Sequence, residues 1–328
     1  MAIALHSCHP HSEDTNPDLS AASIPANEVW IDLIDPSPAE IAFVERATGL
    51  DVPSRAEIGE IEASSRLRTE NGVLYFSTPM LFGAALGEPR VTSLGLALSK
   101  DRLVTVRFES MAVFDSFKCQ VGKPETVHPS ATGAFVGLLE AIVDRYADHL
   151  ERVGTELDRA SHAIFRDESD KKSLTPADRS LRETIRGIGR EGDFVSKIRD
   201  SLMGIARIVP YADTRGVDWM PPEAHARLHT LRQDILSLND YDAYLTAKVQ
   251  FLLDATLGLV NIEQNNIIKV LTVVTVVALG PTLVASWYGM NFKAIPEYDW
   301  TFGYPYAIIL GLVTGLAPLV WFRLRRWL

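Results

Sequence analysis

A chain of 328 residues with 47% hydrophobic side chains is long enough to bury a sizeable core. Its formal net charge of −10 argues against nucleic acid as a partner, because phosphate repels an acidic surface, and suits a partner that is a cation. Two cysteines, Cys8 and Cys119, supply no disulfide framework and fit a reducing cytoplasm. No basic stretch precedes an apolar one at the start, so no signal peptide is expected.

Residues 1–26 are polar, proline-containing and without periodicity, which predicts a disordered tail. His6, Cys8, His9 and His11 are metal-ligand types, but nothing there holds them in fixed geometry. Val29 to Asp35 reads as a strand with apolar residues on both faces. Ser37 to Thr48 reads as a helix, with Pro38 at its start and Gly49 beyond its end. Arg66 to Phe82 predicts a hairpin around Asn71-Gly72. Val91 to Ser99 and Arg102 to Phe108 predict a second, turned at Lys100-Asp101, and a short helix follows over Met111 to Val121. Residues 27–125 thus read as an α/β unit with a mainly antiparallel sheet.

From 126 to 220 the pattern is helical. Phe135, Leu138, Leu139, Ile142 and Tyr146 form an apolar stripe. Pro176 opens a further helix, which Pro210 is expected to close. Pro221-Pro222 then begins one very long helix. Leu231, Leu238, Leu245, Leu252 and Leu259 recur every seven residues, with Leu228, Ile235 and Val249 in the companion register. That pattern predicts a coiled-coil-like seam and an oligomerisation face. No turn signal separates this stalk from a charge-free run, Val270 to Phe292, which is long enough to cross a bilayer as a helix. A second charge-free run spans Trp300 to Phe322. Lys269 precedes the first run and Arg323, Arg325 and Arg326 follow the second. The positive-inside rule therefore places both ends in the cytoplasm and the connecting loop outside.

At the tip of this hairpin stand Tyr288-Gly289-Met290-Asn291-Phe292, then Ile295-Pro296-Glu297, Trp300 and Gly303-Tyr304-Pro305. With the basic ending Phe322 to Leu328, they resemble the signature of the CorA magnesium channel family. The resemblance is close from about Leu252 to Leu328. It continues more loosely upstream, at Val29-Trp30-Ile31-Asp32-Leu33 and over Glu60 to Arg66. A Gly-Met-Asn tripeptide alone is weak; between two spans, with a proline-acid loop behind it, it is specific. The resemblance implies an α/β cytoplasmic domain, a long stalk helix and a two-helix transmembrane hairpin, assembled as a funnel-shaped homopentamer. The expected boundaries are a stalk over 221–291 that becomes the first span at about 268–290, an external loop over 292–303, a second span over 304–323 and a basic tail over 324–328. The setting is the inner membrane of a bacterial cell.

Stepping inward from Asn291 by threes and fours passes Ser286 or Trp287, Thr282, Leu279, Thr275, Thr272, Ile268, Asn265, Asn261 and Asp254. By resemblance, Asn265, Ile268, Leu271, Thr272, Leu279, Thr282, Ser286 and Gly289 to Asn291 fall on pore-lining positions. Mg²⁺ keeps its waters tightly, so an entrance should read the hydrated ion. Asn291 amides offer neutral acceptors to that shell, and Gly289 lets backbone approach. Met290, a soft thioether, is expected to pack rather than touch the ion. Each threonine hydroxyl has the alternative of bonding back to its own helix. Ile268 and Leu271 form an apolar constriction suited to gating. Glu297 would concentrate cations outside, with Lys293 opposing it.

The expected activity is Mg²⁺ uptake, with Co²⁺ and Ni²⁺ as further cargo, driven by membrane potential and closed by internal Mg²⁺. No cofactor is implied. Asp242 and Asp254 are candidate sensing carboxylates, against the plainer reading of solvated helix charges. No P-loop is present to drive an ATP-dependent step, and the remaining histidines show no HExxH pattern, so an enzyme is not expected. Two alternatives remain at this level: a zinc transporter resembling the ZntB branch, perhaps proton-coupled, and a membrane-tethered coiled-coil scaffold that transports nothing.

Overall fold

The computed structural model describes residues 3–7, 24–25, 28–60, 62, 65–84, 87–121, 130–165, 177–291 and 296–325. The chain divides into two compact units, Met1–Leu252 and Leu253–Leu328.

The first unit is built on a six-stranded sheet of order β1-β2-β6-β5-β4-β3. Its strands are β1 (Ile3–Ser7), β2 (Glu28–Ile34), β3 (Leu67–Glu70), β4 (Val73–Phe82), β5 (Arg90–Leu98) and β6 (Leu103–Arg107). Only the β2–β6 pairing is parallel. Both expected hairpins form. Asn71 (φ 51°) and Gly72 (φ 78°) take the left-handed backbone that a tight β3–β4 turn requires. The tail expectation needs correction at one point. Ile3–Ser7 is a strand, paired antiparallel along β2 with His6 opposite Trp30. An open strand edge orders a segment too short to show periodicity. Cys8, His9 and His11 lie outside the described residues.

Helix α1 (Pro38–Thr48) starts from a capping box between Ser37 and Glu40 and ends on Gly49 in the left-handed region. The short α2 (Arg55–Ile58) repeats the box with Ser54 and Glu57. These helices cover one sheet face, where Ile31, Leu33, Tyr75, Ala97, Val104 and Val106 meet Phe43, Val44 and Ile58. The other face carries Trp30, Asp32, Phe76, Thr105 and Arg107. It lies under α3 (Ala112–Val121), α4 (Ala131–Phe165) and α5 (Ala177–Arg215). There Phe76 stacks on Phe135 of α4 and meets the edge of Tyr211 of α5.

That second face buries an ion pair completely. Arg107 donates to both carboxylate oxygens of Asp32, at 3.2 Å from Nε and 2.8 Å from Nη2. Thr105 Oγ1 donates to the same carboxylate at 2.7 Å, and Lys118 Nζ stands 3.4 Å away. The Arg107 guanidinium also lies 4.6 Å from the centre of the Phe114 ring. Charges so deep persist only when paired and hydrogen-bonded.

Two helical expectations change. Pro210 lies inside α5, which continues to Arg215. Ile208, Val209 and Ala212 are fully buried around it, and that packing carries the helix past the one hydrogen bond a proline removes. The heptad seam also turns out to serve its own chain. In α6 (Pro222–Tyr288), Leu228, Leu231, Ile235, Leu245, Val249 and Leu252 are buried, facing α4 and α5. Val249 packs 3.1 Å from where a Cβ on Gly192 would sit. Arg227 pairs with Glu140, Lys248 with Asp158, and Asp242 with Arg199. A seven-residue repeat marks a covered stripe without saying which helices cover it. Leu238 is only half-buried and Leu259 is exposed.

Candidate pore segment

The second unit comprises the end of α6, the segment Gly289–Asn291, a 3₁₀ turn at Pro296–Asp299 and α7 (Gly303–Leu324). Both α6 and α7 are long and apolar enough to cross a membrane. At 1.5 Å per residue, the 22 residues of α7 span roughly 33 Å, about a hydrocarbon core.

The two helices touch through small residues. A Cβ on Gly280 would stand 2.7 Å from the Thr314 carbonyl oxygen, and one on Gly315 would stand 3.0 Å from the Pro281 ring. Backbones approach this closely only where side chains are absent. Val273 of α6 and Phe322 of α7 are buried in the same unit. The face of α6 that meets α7 is therefore Val273, Val277, Gly280, Pro281 and Val284. This contact was missed in sequence: Gly315 makes it, whereas a Cβ on Gly311, four residues earlier, would meet open space.

Opposite that face, at 3.6 residues per turn, lie Asn265, Ile268, Thr272, Thr275, Leu279, Thr282 and Ser286. Leu271 flanks them. All eight are exposed in the single chain, Ile268 at 60% and Leu271 at 65%. So are Asp254 and Asn261, which continue the line toward the start of α6, and Asn291, which lies beyond the end of the helix. The structure thus gathers the residues from Asn265 to Ser286 on one side of one helix, turned from α7.

The hydroxyl geometry decides what this stripe offers. Thr272, Thr275 and Thr282 donate to the carbonyls four residues earlier, Ile268, Leu271 and Ala278, at 2.7, 2.8 and 2.7 Å. With the proton directed into the helix, the oxygen presents lone pairs outward. Each threonine is then an acceptor, which is what the hydrogens of a hydrated cation require.

At the tip, Gly289 donates to Ala285 O at 2.9 Å and Met290 to Trp287 O at 3.3 Å, so the helix closes in a turn. A Cβ on Gly289 would lie 3.0 Å from Ala285 O, tighter than a side chain normally tolerates. Glycine there permits the turn. Met290, expected to pack, is 43% exposed, and Asn291 is exposed beyond it. The 3₁₀ turn seats its Glu297 carbonyl against Gly303, and Glu297 is half-buried. Lys293 lies outside the described residues.

Of the two candidate sensing carboxylates, Asp254 is exposed, whereas Asp242 is 1% exposed. Arg199 Nε donates to Asp242 Oδ2 at 2.6 Å and Arg199 Nη2 to Thr246 at 2.6 Å. Burial raises the Asp242 pKa, and the bond from Arg199 opposes that. Asp242 is therefore a buried group paired with Arg199 through Oδ2 and not a solvated charge, while its Oδ1 has no hydrogen-bond partner among the described residues. Among the described residues, no group of three or more His, Cys, Asp or Glu is arranged to hold a metal.

A family model described as "CorA-like Mg2+ transporter protein" matches residues 26–326. The magnesium transport protein CorA of Escherichia coli K12 is 32% identical over 306 residues, covering 92% of each chain. The chain belongs to the CorA-like Mg²⁺ transporter family. The complete structure of the CorA magnesium transporter from Methanocaldococcus jannaschii has the same fold, with a TM-score of 0.76 at 22% identity over 100% of this chain and 99% of that one. The ZntB cytoplasmic domain from Vibrio parahaemolyticus is more distant. It covers 74% of this chain, and 91% of its own length is matched, at a TM-score of 0.50 and 10% identity. Family membership thus extends across both units, with the CorA-like match running through the stripe and the Gly-Met-Asn tip.

Proposed function

We propose that this chain is one subunit of a homopentameric channel for Mg²⁺, with Co²⁺ and Ni²⁺ as further cargo, in the inner membrane of a bacterial cell. One observation carries the reading: the polar stripe from Asn265 to Ser286 is exposed and faces away from α7. A membrane helix does not leave such a face to lipid, where polar groups are costly. Two spans cannot enclose a water path, so copies of the chain must gather with these stripes inward.

In that assembly the Asn291 side chains form a ring at the outer mouth, with Gly289 and Met290 shaping the turn beneath them. Mg²⁺ enters with several waters retained, and the amide oxygens accept hydrogen bonds from them. Rings of Thr282, Thr275 and Thr272 repeat the acceptor pattern inward. Neutral groups hold the ion weakly enough for it to move on. Leu279, and deeper Leu271 and Ile268, make apolar constrictions that close by dewetting. An interior-negative potential releases about 4.6 kcal/mol per 100 mV for a doubly charged ion, twice the single-charge value. Lys269 and the arginines from Arg323 onward keep both ends cytoplasmic, and Glu297 draws cations to the outer side. Internal Mg²⁺ closes the channel. Because Asp242 is engaged by Arg199, Asp254 is the remaining candidate on the stripe for that response.

Reconstitution into liposomes with an imposed potential tests the proposal. Mg²⁺ influx is expected in the wild type, with cobalt hexaammine as a blocker. In Asn291→Ala it should fall roughly tenfold or more, the scale of losing an acceptor that each subunit contributes. Influx of Zn²⁺ coupled to a pH gradient, without Mg²⁺ influx, would favour the zinc-transporter reading. An absence of any flux from correctly assembled protein would leave the scaffold.

A further inference from the structure

The first unit contains a cleft that conduction does not use. It lies between α4, the start of α3 and the turn that joins β4 to β5, and encloses about 900 Å³, the size of a small-molecule site. Its floor is apolar and rigid, made of the buried side chains of Met80, Leu81, Ile142 and Tyr146. The Tyr146 hydroxyl is pinned there, accepting from the Leu81 amide at 3.2 Å and donating to Met80 Sδ at 3.4 Å.

One wall is cationic. Arg145, His149 and Arg152 follow one another at four and three residues, so they share a face of α4 and extend over roughly 10 Å at 1.5 Å per residue. Among the described residues Arg145 has no hydrogen-bond or ion-pair partner. Arg152 lies over the Phe194 ring, 4.9 Å from its centre, and comes only within 3.8 Å of Glu191. His149 meets the same ring edge-on. Ala112 and Val113, at the start of α3, also line the cleft. The carboxylates of Glu109, Asp115 and Asp148 line the cleft too. A bare polyanion would be repelled by them, whereas a polyanion carrying a divalent cation would not.

We propose that this cleft binds a nucleoside polyphosphate together with its divalent cation. The phosphates engage Arg145, His149 and Arg152, the base lies on the apolar floor, and Glu109 and Asp115 face the metal. With no P-loop in the chain, the ligand would act as a regulator and not as a fuel. The proposal is independent of the transport reading, because binding is measured without flux.

The electrostatics give it a second readout. Burial, and then the charges of Arg145 and Arg152, hold the His149 pKa below its ordinary value, with Asp148 opposing them. The other charged groups around the cleft are Glu191 on α5, Glu109 and Asp115 by α3, and Glu88 and Arg90 by the β4–β5 turn. A phosphate placed between the arginines reverses their repulsion of the imidazolium. Binding then takes up a proton and tightens as pH falls.

Calorimetric titration of the full-length protein in nanodiscs with Mg·ATP tests this directly. Saturable micromolar binding is expected, stronger for Mg·ATP than for inorganic triphosphate, and tighter at pH 6 than at pH 8. The variant Arg145→Ala removes a side chain the fold does not use, and the double variant R145A/R152A removes both guanidinium groups. The double variant should lose about tenfold or more in affinity, as expected for charge-assisted phosphate contacts, and His149→Gln should flatten the pH dependence. The proposal is overturned by absence of saturation at millimolar Mg·ATP, by triphosphate binding as tightly as the nucleotide, or by unchanged affinity in R145A together with R145A/R152A.

Discussion

Polar side chains meet opposite fates in the two units. In the first, Asp32 and Arg107 are both fully buried and answered in full by each other, Thr105 and Glu109. In the second, Asn265 and Ser286 on α6 and Asn291 beyond its end stand exposed, and the threonines of the same face bond back to their own helix among the described residues. At that pair the first unit satisfies its chemistry within one chain, although Glu28 Oε2, Ser77 Oγ, Arg102 Nη1, Glu191 Oε2 and Asp242 Oδ1 are buried there without a hydrogen-bond partner among the described residues. The second leaves a row of acceptors for something absent from that chain. This contrast separates side chains that maintain the fold from side chains kept for a passing ion.

Breaking the answered pair should have the largest effect. Asp32→Ala leaves Arg107 buried and uncompensated, a loss of about 3–5 kcal/mol for such a site. Chemical denaturation of the protein, followed by tryptophan fluorescence, is expected to show it, because Trp30 packs beside the pair against Phe114 and Phe117. If the denaturation midpoint stayed put, the first unit's claim to self-sufficiency would fail. Next comes the contact between α6 and α7. Gly280→Val places a methyl-bearing carbon where the Thr314 carbonyl already sits, an overpacking that costs about 1–3 kcal/mol. Thermal stability in detergent should drop, with the first unit's fluorescence transition unmoved.

The threonines sharpen the other half of the contrast. Thr275→Val keeps the shape and removes the outward lone pairs. If the hydroxyl served the helix alone, Mg²⁺ flux would not change. As an acceptor for a hydrated ion, its loss should slow flux about two- to tenfold, the range of roughly 0.5–1.5 kcal/mol for one neutral hydrogen bond. A matched substitution off the stripe, Thr314→Val, tests the helix contact instead and should leave ion preference intact.

Much of this was legible in the sequence because it rests on local rules. Pro38 with Gly49, Asn71-Gly72 and the charge-free runs each specify an element through local chemistry. That Asn265 to Ser286 share one face was legible as well, since a helical period fixes it. What stayed hidden depended on partners far along the chain. The leucine repeat announced burial, but only the fold shows that α4 and α5 do the burying. Asp242 read as a candidate sensing carboxylate or a solvated charge, and only the fold brings Arg199, 43 residues away, against it. Pro210 looked like a terminator, and the buried side chains around it overrule that local signal. Ile3–Ser7 became a strand through an edge that β2 offers.

His149 is where the first unit behaves like the second, and its effect is the smallest. It is a polar side chain half-buried against Phe194, without a hydrogen-bond partner among the described residues. Burial first, and Arg145 and Arg152 next, hold its pKa below the ordinary 6.5. A base depressed in the folded state binds fewer protons there than in the unfolded chain. Stability from this group is therefore complete above the ordinary value and declines as pH falls below it. Asp144, Glu191 and Asp242 have raised pKa values, chiefly through burial. They carry the opposite sign, so the protein's net slope mixes both. The difference between the wild type and His149→Gln isolates the histidine. In the absence of nucleotide, the wild type should lose more stability than the variant between pH 7.5 and pH 5.5. Parallel curves would show that the imidazole gains a partner in solution, and the cleft would then be as fully answered as Asp32 and Arg107.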